Sequence, residues 1–386
     1  MKKILALTSI RSDYDLMSGL YALLHQDSDI ELKLLVSGTH LSGTYGNTVE
    51  QIIQDGYPIL LQIESLINSD SQKSRLKSAS ILLQNSIDVV AAWQPDLILY
   101  AGDREDVLIG AMLGAFLNIP GMHFFGGDHE ADGHTDTVIR HATSKLSTFH
   151  VVSLEQHRQR LMKMGESSDR ICVAGSIALD KFIRQSQLPA VNPASVFPPE
   201  KNLTDYAMVI YHPVDAEKAQ AGEHFEQLLQ ALKQANIPAM ISYPNSDPGN
   251  YAILEKIRQY EHDPQFWFYT NLERNTFISL YKQARFLIGN SSSGILEAAS
   301  LGKGVINVGL RQRGRYCLDN VIFCGNQREH IDAAIAQLLT PEFQTALTTI
   351  QNPYGNGQSC QQVLQLIKHT DFARLLKKTE DPLEMP

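Results

Sequence analysis

Short apolar runs alternate with longer amphipathic stretches along almost the whole chain. The apolar runs of the first half have the length and composition of buried strands. They are Ile4–Thr8, Glu31–Val36, Asp96–Tyr100, Gly121–Phe125, Phe149–Val152 and Ile171–Ala174. The stretches with a helical period that separate them include Tyr14–His25, Lys73–Ala92 and Asp106–Leu117. Because strands and helices alternate, the pattern predicts a parallel sheet covered by helices.

The alternation stops after Phe182 and begins again near residue 206. Residues 184–202 are rich in Pro, Ser, Asn and Gln and have no periodicity, which is typical of a linker between domains. The apolar runs that follow it are Tyr206–Tyr211, Ala239–Tyr243, Phe266–Tyr269, Arg285–Gly289 and Gly304–Val308. A last periodic stretch, Gln358–Lys368, predicts a C-terminal helix.

These patterns predict an α/β protein of two Rossmann-like domains, each with a parallel sheet. The predicted domains are residues 1–185 and 204–357, joined by a linker at 186–203. We expect the C-terminal segment, about 358–386, to pack back on the first domain. Because doubly wound sheets bind ligands beyond the carboxyl ends of their strands, we expect the active site in the cleft between the domains.

The composition disfavours several classes of partner. The chain has 386 residues, is 43% hydrophobic and carries a formal net charge of -9, so neither nucleic acid nor an anionic membrane is an expected partner. The sequence has neither the pattern of a signal peptide nor that of a membrane span. Its four cysteines lack CxxC spacing, which favours reduced thiols. We therefore expect a cytoplasmic protein.

Polar residues follow several of the predicted strands. SIRSDY follows the first strand with Arg11 and Asp13, and SGTHLSGTYGNT follows the second with His40. In the second half IYHPVD, ISYPNSD and GNSSSG stand in equivalent places. Each segment alone is more commonly a loop or a helix cap, but a small, donor-rich turn before a helix also suits phosphate. Their recurrence in both halves indicates a binding site.

Taken together, these segments resemble the hydrolysing UDP-N-acetylglucosamine 2-epimerases of sialic and related nonulosonic acid biosynthesis. GDR, GGD…D…IRH, HPV, PN, GNSS-G-E and NVGLRQRGR occur in the family's order, up to the region of Arg315. The resemblance implies two domains of the glycosyltransferase-B type with the substrate between them. It implies conversion of UDP-GlcNAc and water to UDP and free N-acetylmannosamine without a metal or other cofactor. A homo-oligomer, a dimer or tetramer, is implied as well.

The resemblance also implies which residues hold the nucleotide. Ser291 and Ser292, with neighbouring N–H groups, are expected to bind the diphosphate, which His212 should also reach. The other expected nucleotide contacts are Glu297 at the ribose, Arg311 and the backbone near Leu272 at the uracil, and Arg11, Arg104, Asn245 and Gly294.

The implied reaction inverts C2 of the sugar, whose hydrogen is hardly acidic. Anti elimination of UDP gives an enzyme-bound glycal, and water then adds across the double bond, which requires acid/base groups and cationic help at the diphosphate. Asp103 and Asp136 match family positions for this work, and His40 and His123 match its active-site histidines. Arg140 lies four residues after Asp136, so a helix would let it keep that carboxylate ionised. An ordinary ion pair at a helix start is the alternative.

One position departs from the family pattern. Well-known relatives have HIEGGE, where a Glu two residues after the His is a proposed acid/base, whereas this chain has HFFGGD with Phe125 at that place. A phenyl ring cannot transfer a proton. Either Asp128, His129 or Glu130 supplies the group, or the pocket suits a less polar sugar. A UDP- or GDP-linked 2,4-diacetamido-2,4,6-trideoxyhexose of legionaminic acid synthesis is such a sugar.

Other functions stay open. A metal site is a weak alternative, because the spacing of its possible ligands fits no known zinc site; they are Asp128, His129, Glu130, Asp132 and His134. A non-hydrolysing 2-epimerase would keep UDP on the product, but GGD…D…IRH favours the hydrolysing branch. The acid cluster of GDR and IRH argues against a glycosyltransferase of the same fold. Only Phe125 favours a nucleotide-sugar sensor without turnover.

Overall fold

The computed structural model describes residues 1–69, 71–129, 135–201, 203–245 and 247–383. The chain divides into two compact units. The first contains Met1–Lys181 and the segment that begins at Gly357, and the second contains Phe182–Asn356. Each unit has its own parallel sheet and its own hydrophobic core.

The first unit is a sheet with helices packed on it. Its strands are β1 Lys2–Thr8, β2 Ile30–Ser37, β3 Ile59–Ile63, β4 Leu97–Ala101, β5 Gly121–Phe124, β6 Phe149–Val152 and β7 Ile171–Val173. Its helices are α1 Arg11–Gln26, α2 Val49–Gln54, α3 Gln72–Trp93, α4 Glu105–Leu117, α5 Thr135–Leu146, α6 Glu155–Lys163 and α7 Ile177–Ser186, which ends in the second unit. The strand order is β3-β2-β1-β4-β5-β6-β7, all parallel, and it reverses between β1 and β4.

Strand β4 illustrates why these apolar runs form central strands. Every residue of LILYA is buried. Leu97 and Leu99 belong to the core on one face of the sheet, and Ile98 and Tyr100 belong to the core on the other. A strand that is covered by helices on both faces has no solvent side, so its sequence is an unbroken apolar run rather than an alternating one.

The second unit repeats this architecture. Its strands are β8 Ala207–Ile210, β9 Ala239–Ser242, β10 Phe266–Tyr269, β11 Leu287–Gly289, β12 Val305–Val308 and β13 Val321–Cys324. Its helices are α8 Ala221–Gln234, α9 Asn250–Tyr260, α10 Arg274–Gln283, α11 Ser293–Leu296, α12 Arg328–Leu338 and α13 Pro341–Leu347. The order β10-β9-β8-β11-β12-β13 is again parallel and reverses between β8 and β11.

The remaining helix, α14 Ser359–His369, belongs to the first unit. Its apolar residues, among them Val363 and Ile367, join the core that contains Met17 of α1. The buried Asp180 carboxylate accepts hydrogen bonds from the first two N–H groups of the helix, at 3.2 and 2.6 Å. Its negative charge is stabilised there because the N-terminal end of a helix dipole is positive. Among the described residues, no helix is long and apolar enough to cross a membrane.

The sequence pattern missed β3 and β13. Both are edge strands with a single hydrogen-bonded neighbour. Most of their residues are only partly buried. Gln62 interrupts the apolar run of β3, and β13 is a run of only four apolar residues, which periodicity alone does not assign to a strand.

Candidate active site

The carboxyl ends of β1 and β4 lie side by side where the order of the first sheet reverses. A cavity of ≈ 300 Å³ opens beside them. Its walls come from the loops after β1 to β4 and from α3, and include Ile10, Thr39, Asn68, Arg75, Arg104 and Asp106. Because doubly wound sheets bind ligands at such a reversal, this edge is the candidate site of the first unit.

Asp103 and Arg140 form the central ion pair of this edge. Asp103 follows β4 after Gly102, which has φ +104°. The Arg140 side chain is only 7% exposed, and its Nη2 donates to Asp103 Oδ2. Its Nη1 donates to the carbonyl oxygen of Phe125 at 3.1 Å. A nearly buried guanidinium thus holds a partly exposed carboxylate in position. The hydrogen bond between these two charged groups is stronger than one between neutral groups.

The cation beside Asp136 is not the predicted one. Arg75 of α3 holds Asp136, with 3.4 Å between Nη2 and Oδ1, and binds Glu105 at 2.6 Å through the same nitrogen. Arg140 points instead to the loop after β4, where it binds Asp103. The predicted ion pair between Arg140 and Asp136 is therefore not formed, because Arg140 binds Asp103 instead of the neighbour on its own helix.

The two predicted histidines of this unit are fully buried. His40 Nε2 lies 2.9 Å from Thr8 Oγ1 and its Nδ1 lies 2.7 Å from Thr48 Oγ1. His123 Nε2 lies 2.8 Å from the carbonyl oxygen of Gly102, which fixes the loop that carries Asp103. Burial lowers the pKa of His40 to about 4 and that of His123 to about 3, so both rings are neutral at pH 7.

Two further carboxyl groups lie at this edge, Asp13, which the sequence analysis named without a role, and Asp106, which it did not name as a site residue. Burial raises the pKa of Asp13 to about 7, although the N–H groups of Ser9 and Ile10 donate to it at 2.9 and 3.1 Å. Burial, and then the charge of Glu105, raise the pKa of Asp106 to about 6. Titration near neutral pH suits acid/base chemistry, but Asp13 also caps the start of α1. The sequence signal for Asp106 was its place three residues after Asp103.

The loop after β5 brings Asp128 to the same guanidinium. Asp128 Oδ2 lies 3.6 Å from Arg140 Nη1, and its Oδ1 lies 3.5 Å from Nε2 of His157 on α6. The His129 ring stacks on that of His141, with 5.7 Å between the centroids. The predicted alternatives Glu130, Asp132 and His134 lie outside the described residues.

In the second unit, His212 and Asn290 join the ends of β8 and β11. The His212 N–H donates to Asn290 Oδ1 at 2.8 Å, and Asn290 Nδ2 donates to the His212 carbonyl oxygen at 2.7 Å. The Asn245 N–H donates to His212 Nδ1 at 3.2 Å, and Nε2 has no hydrogen-bond partner within the described part of the chain. Burial, and next the charge of Arg311, lower the pKa of His212 to about 4. The ring is therefore neutral at pH 7 without a ligand.

The serine-rich turn after β11 leads into a helix of one turn. Helix α11 ends at Leu296, so Glu297 is its C-cap and a 3-10 turn follows. Ser291 Oγ accepts from the Ser293 N–H at 3.2 Å, and Ser293 Oγ donates to Glu297 Oε2 at 2.5 Å. Burial raises the pKa of Glu297. One helical turn gives only a small dipole, so anion binding here would rely on the local N–H and hydroxyl donors.

The remaining predicted contacts range from exposed to buried. Arg11 is the first residue of α1, and its side chain is 80% exposed with Asp15 3.9 Å away. Arg104 is the exposed N-cap of α4 and lines the cavity. Leu272 lies in the loop between β10 and α10 and is half-buried, whereas Arg311 is exposed after β12. Gly294 is buried in α11.

Gly289, at the end of β11, has a strict steric requirement. Its φ is +144°, and a Cβ there would lie 2.0 Å from the carbonyl oxygen of Ile210 on β8. We expect Gly289→Ala to lower the free energy of unfolding by at least about 3 kcal/mol, because strain and overlap add. Gly314→Ala is the matched control, since Gly314 has φ +92° in open space. Urea unfolding measures both, and equal losses would contradict the steric argument.

A family model described as UDP-N-acetylglucosamine 2-epimerase matches residues 22–368. The chain is 35% identical over 371 residues to the UDP-N,N'-diacetylbacillosamine 2-epimerase (hydrolyzing) of Legionella pneumophila, which covers 95% of this chain and 96% of the relative. It is 32% identical over 339 residues to the UDP-N-acetylglucosamine 2-epimerase of Neisseria meningitidis, with 87% of each chain covered.

Solved structures share the fold. The UDP-GlcNAc 2-epimerase of Neisseria meningitidis bound to UDP-GlcNAc matches with a TM-score of 0.75 at 19% identity, covering 95% of this chain and 100% of that one. The Methanocaldococcus jannaschii UDP-GlcNAc 2-epimerase matches with a TM-score of 0.74 at 16% identity, covering 96% and 100%. These matches confirm the predicted α/β fold of glycosyltransferase-B type with parallel sheets.

Proposed function

Because the chain belongs to the UDP-N-acetylglucosamine 2-epimerase family, we propose that it is a hydrolysing 2-epimerase of a UDP-linked 2-acetamido sugar. The observation that carries the proposal is the Asp103–Arg140 pair at the strand-order reversal of the first sheet. A carboxylate fixed in this way suits removal of a weakly acidic C–H proton, since its geometry needs no rearrangement during the reaction.

In the proposed reaction, a carboxylate takes the C2 proton while the bond between C1 and the diphosphate oxygen breaks. UDP leaves with the electron pair, and a glycal remains. Water then adds its oxygen to C1, and C2 receives a proton on the opposite face. The products are UDP and the free, C2-inverted sugar. We assign proton removal in the elimination step to Asp103 and Asp136, with Arg140 and Arg75 as their respective cations.

The second unit is the proposed nucleotide site. Ser291 and Ser292 offer hydroxyl and N–H donors to the diphosphate. His212, whose Nδ1 accepts from the Asn245 N–H, offers an Nε2–H donor, and it becomes a cation if a negative charge beside it favours a second proton at Nδ1. Glu297 would accept from the ribose. We keep Arg11, Arg104, Asn245, Leu272, Gly294 and Arg311 as further proposed contacts.

Two sugars are candidates. UDP-GlcNAc would give N-acetylmannosamine for sialic-type acids, and a relative with 32% identity bears that substrate in its name. UDP-N,N'-diacetylbacillosamine is favoured by the relative with 35% identity over 95% of the chain. It is also favoured by Phe125, which removes a charged group from the site in a way that suits a less polar 6-deoxy sugar. We therefore propose the diacetamido sugar as the preferred substrate.

Proton NMR in deuterated water tests both proposals. The protein is incubated in turn with UDP-GlcNAc and with UDP-N,N'-diacetylbacillosamine. We expect UDP and a free, inverted sugar that carries deuterium at C2, formed faster from the diacetamido substrate. A UDP-linked inverted product would indicate the non-hydrolysing reaction instead. Tight binding without any product over hours would contradict enzymatic function.

A further inference from the structure

Phe125 has a backbone role at the place where well-known relatives have a carboxylate. Its φ is +64°, a left-handed conformation that is strained for a bulky residue. Its N–H donates to the Val151 carbonyl oxygen at 3.2 Å, and its own carbonyl accepts from Arg140 at 3.1 Å. The ring packs against the core of the first unit. Phe125 thus helps to hold Arg140, and the proton must come from another residue.

The turn after Phe125 is held firmly enough to aim a side chain. Gly127 has φ +73°, and a Cβ there would lie 2.3 Å from the His157 carbonyl oxygen, so the turn lies directly against α6. Arg160, also on α6, donates to the Gly127 carbonyl oxygen. These contacts fix the residue that follows, which is Asp128.

Asp128 lies on the same Arg140 guanidinium as Asp103, so it is placed to be a second acid/base. One oxygen is 3.6 Å from Arg140 Nη1, and the other nitrogen of that guanidinium holds Asp103. Arg140 is therefore flanked by two carboxyl groups from two different loops. The Asp128 side chain is 24% exposed and Asp103 is 29% exposed, so both reach solvent, whereas Arg140 does not. A two-step reaction at neighbouring carbons requires such a pair.

His157 lies beside the other oxygen of Asp128. Its side chain is 6% exposed, and its Nε2 is 3.5 Å from Asp128 Oδ1. Burial lowers the pKa of His157 to about 4, so the ring is neutral at pH 7. Its Nδ1 is buried without a hydrogen-bond partner among the described residues. The contact of Nε2 with Asp128 is the one that can orient this ring's neighbour, at 3.5 Å.

We propose that Asp128 is the acid/base of the hydration step and that His157 is the positioning residue that orients its carboxyl group. This inference rests on the proposed function. The protonated carboxyl group of Asp128 gives its proton to C2 of the glycal. Water then adds its oxygen to C1 and returns a proton to Asp128. The carboxylate that took the original C2 proton releases it to solvent, so the proton count balances.

The test is the ratio of glycal to free inverted sugar, followed by NMR in deuterated water with the substrate that the wild type turns over fastest. Asp128→Asn blocks hydration but leaves elimination, so we expect the vinylic proton of the glycal to accumulate and the ratio to rise roughly tenfold or more. A merely structural loss would slow both steps and leave the ratio unchanged. Asp88→Asn, on the exposed face of α3, is the matched control.

Two substitutions at His157 test the positioning role. His157→Phe keeps the ring shape and removes the donor, so we expect it to raise the same ratio with little change in KM. His157→Gln places an amide donor near the former Nε2 and should restore the wild-type ratio. An unchanged ratio in Asp128→Asn, or loss of UDP release without glycal, would overturn the proposal. A wild type that releases no UDP from either sugar would instead contradict the proposed function and this inference with it.

Discussion

Asp103→Asn is expected to lower kcat for UDP release by about 10³-fold, within the range of general acid/base effects. The amide keeps the shape of the carboxylate and can still accept the hydrogen bond from Arg140, but it cannot take a proton from C2. Because Asp103 belongs to the first unit and the proposed UDP contacts are mainly in the second, we expect the Kd for UDP to change less than about threefold. Single-turnover kinetics and calorimetry with UDP measure the two quantities.

We also expect the Asp103→Asn protein to be less stable than the wild type. Arg140 would lose its main anionic partner while its side chain remains only 7% exposed. Asp128 at 3.6 Å and the Phe125 carbonyl still face it, so we expect a loss of about 1–2 kcal/mol in the free energy of unfolding. Urea unfolding checks this value. Activity close to that of the wild type in a folded Asp103→Asn protein would rule out the proposed role.

The sequence revealed most strands as short apolar runs, of which β4 is buried at every residue, and it missed two of the four edge strands, β3 and β13. The sequence likewise identified individual site residues but not the contacts between them. Asp103 and Arg140 were both predicted, but as members of different pairs, since spacing along α5 favoured a bond between Arg140 and Asp136. Which partner a long side chain chooses depends on its direction and on distant loops, and one sequence does not encode that in its spacing.

Two residues at the site gave little or no sequence signal. His157 is a single histidine within α6 and became relevant only because the turn at Gly127 rests on that helix. Arg75 lies at the start of α3, remote in sequence from both carboxylates that it bridges. Their contacts depend on how helices pack over the sheet, so only the folded structure identifies them. The functional roles of all these residues remain predictions.

His212→Asn is expected to lower kcat by about 10²–10³-fold, the usual cost of removing one group that stabilises developing negative charge. The Asn side-chain oxygen can take the place of Nδ1 and keep the hydrogen bond from the Asn245 N–H, so the turn should remain intact. What is lost is Nε2, the atom that we propose to face the diphosphate. Steady-state kinetics with the preferred substrate measure the loss. The position of the Asn245 backbone should be the same in the variant as in the wild type.

The pH dependence of UDP binding isolates the same group. Burial and the charge of Arg311 hold the pKa of His212 at about 4 in the free protein. A diphosphate beside the ring favours the imidazolium and so raises this pKa in the complex. Because the complex then holds more protons than the free protein, UDP must bind more tightly as the pH falls through the pKa of the bound state. Above that value the advantage is lost.

Calorimetric titration of UDP in two buffers with different ionisation enthalpies measures the proton uptake directly. We expect a fraction of a proton taken up per UDP by the wild type near pH 6.5, and less by His212→Asn. Since UDP itself binds a proton near this pH, the difference between the two proteins is the informative quantity. Equal uptake by both would mean that His212 stays neutral in the complex. It would then assist UDP departure only as a hydrogen-bond donor, because a neutral ring can donate but cannot cancel charge.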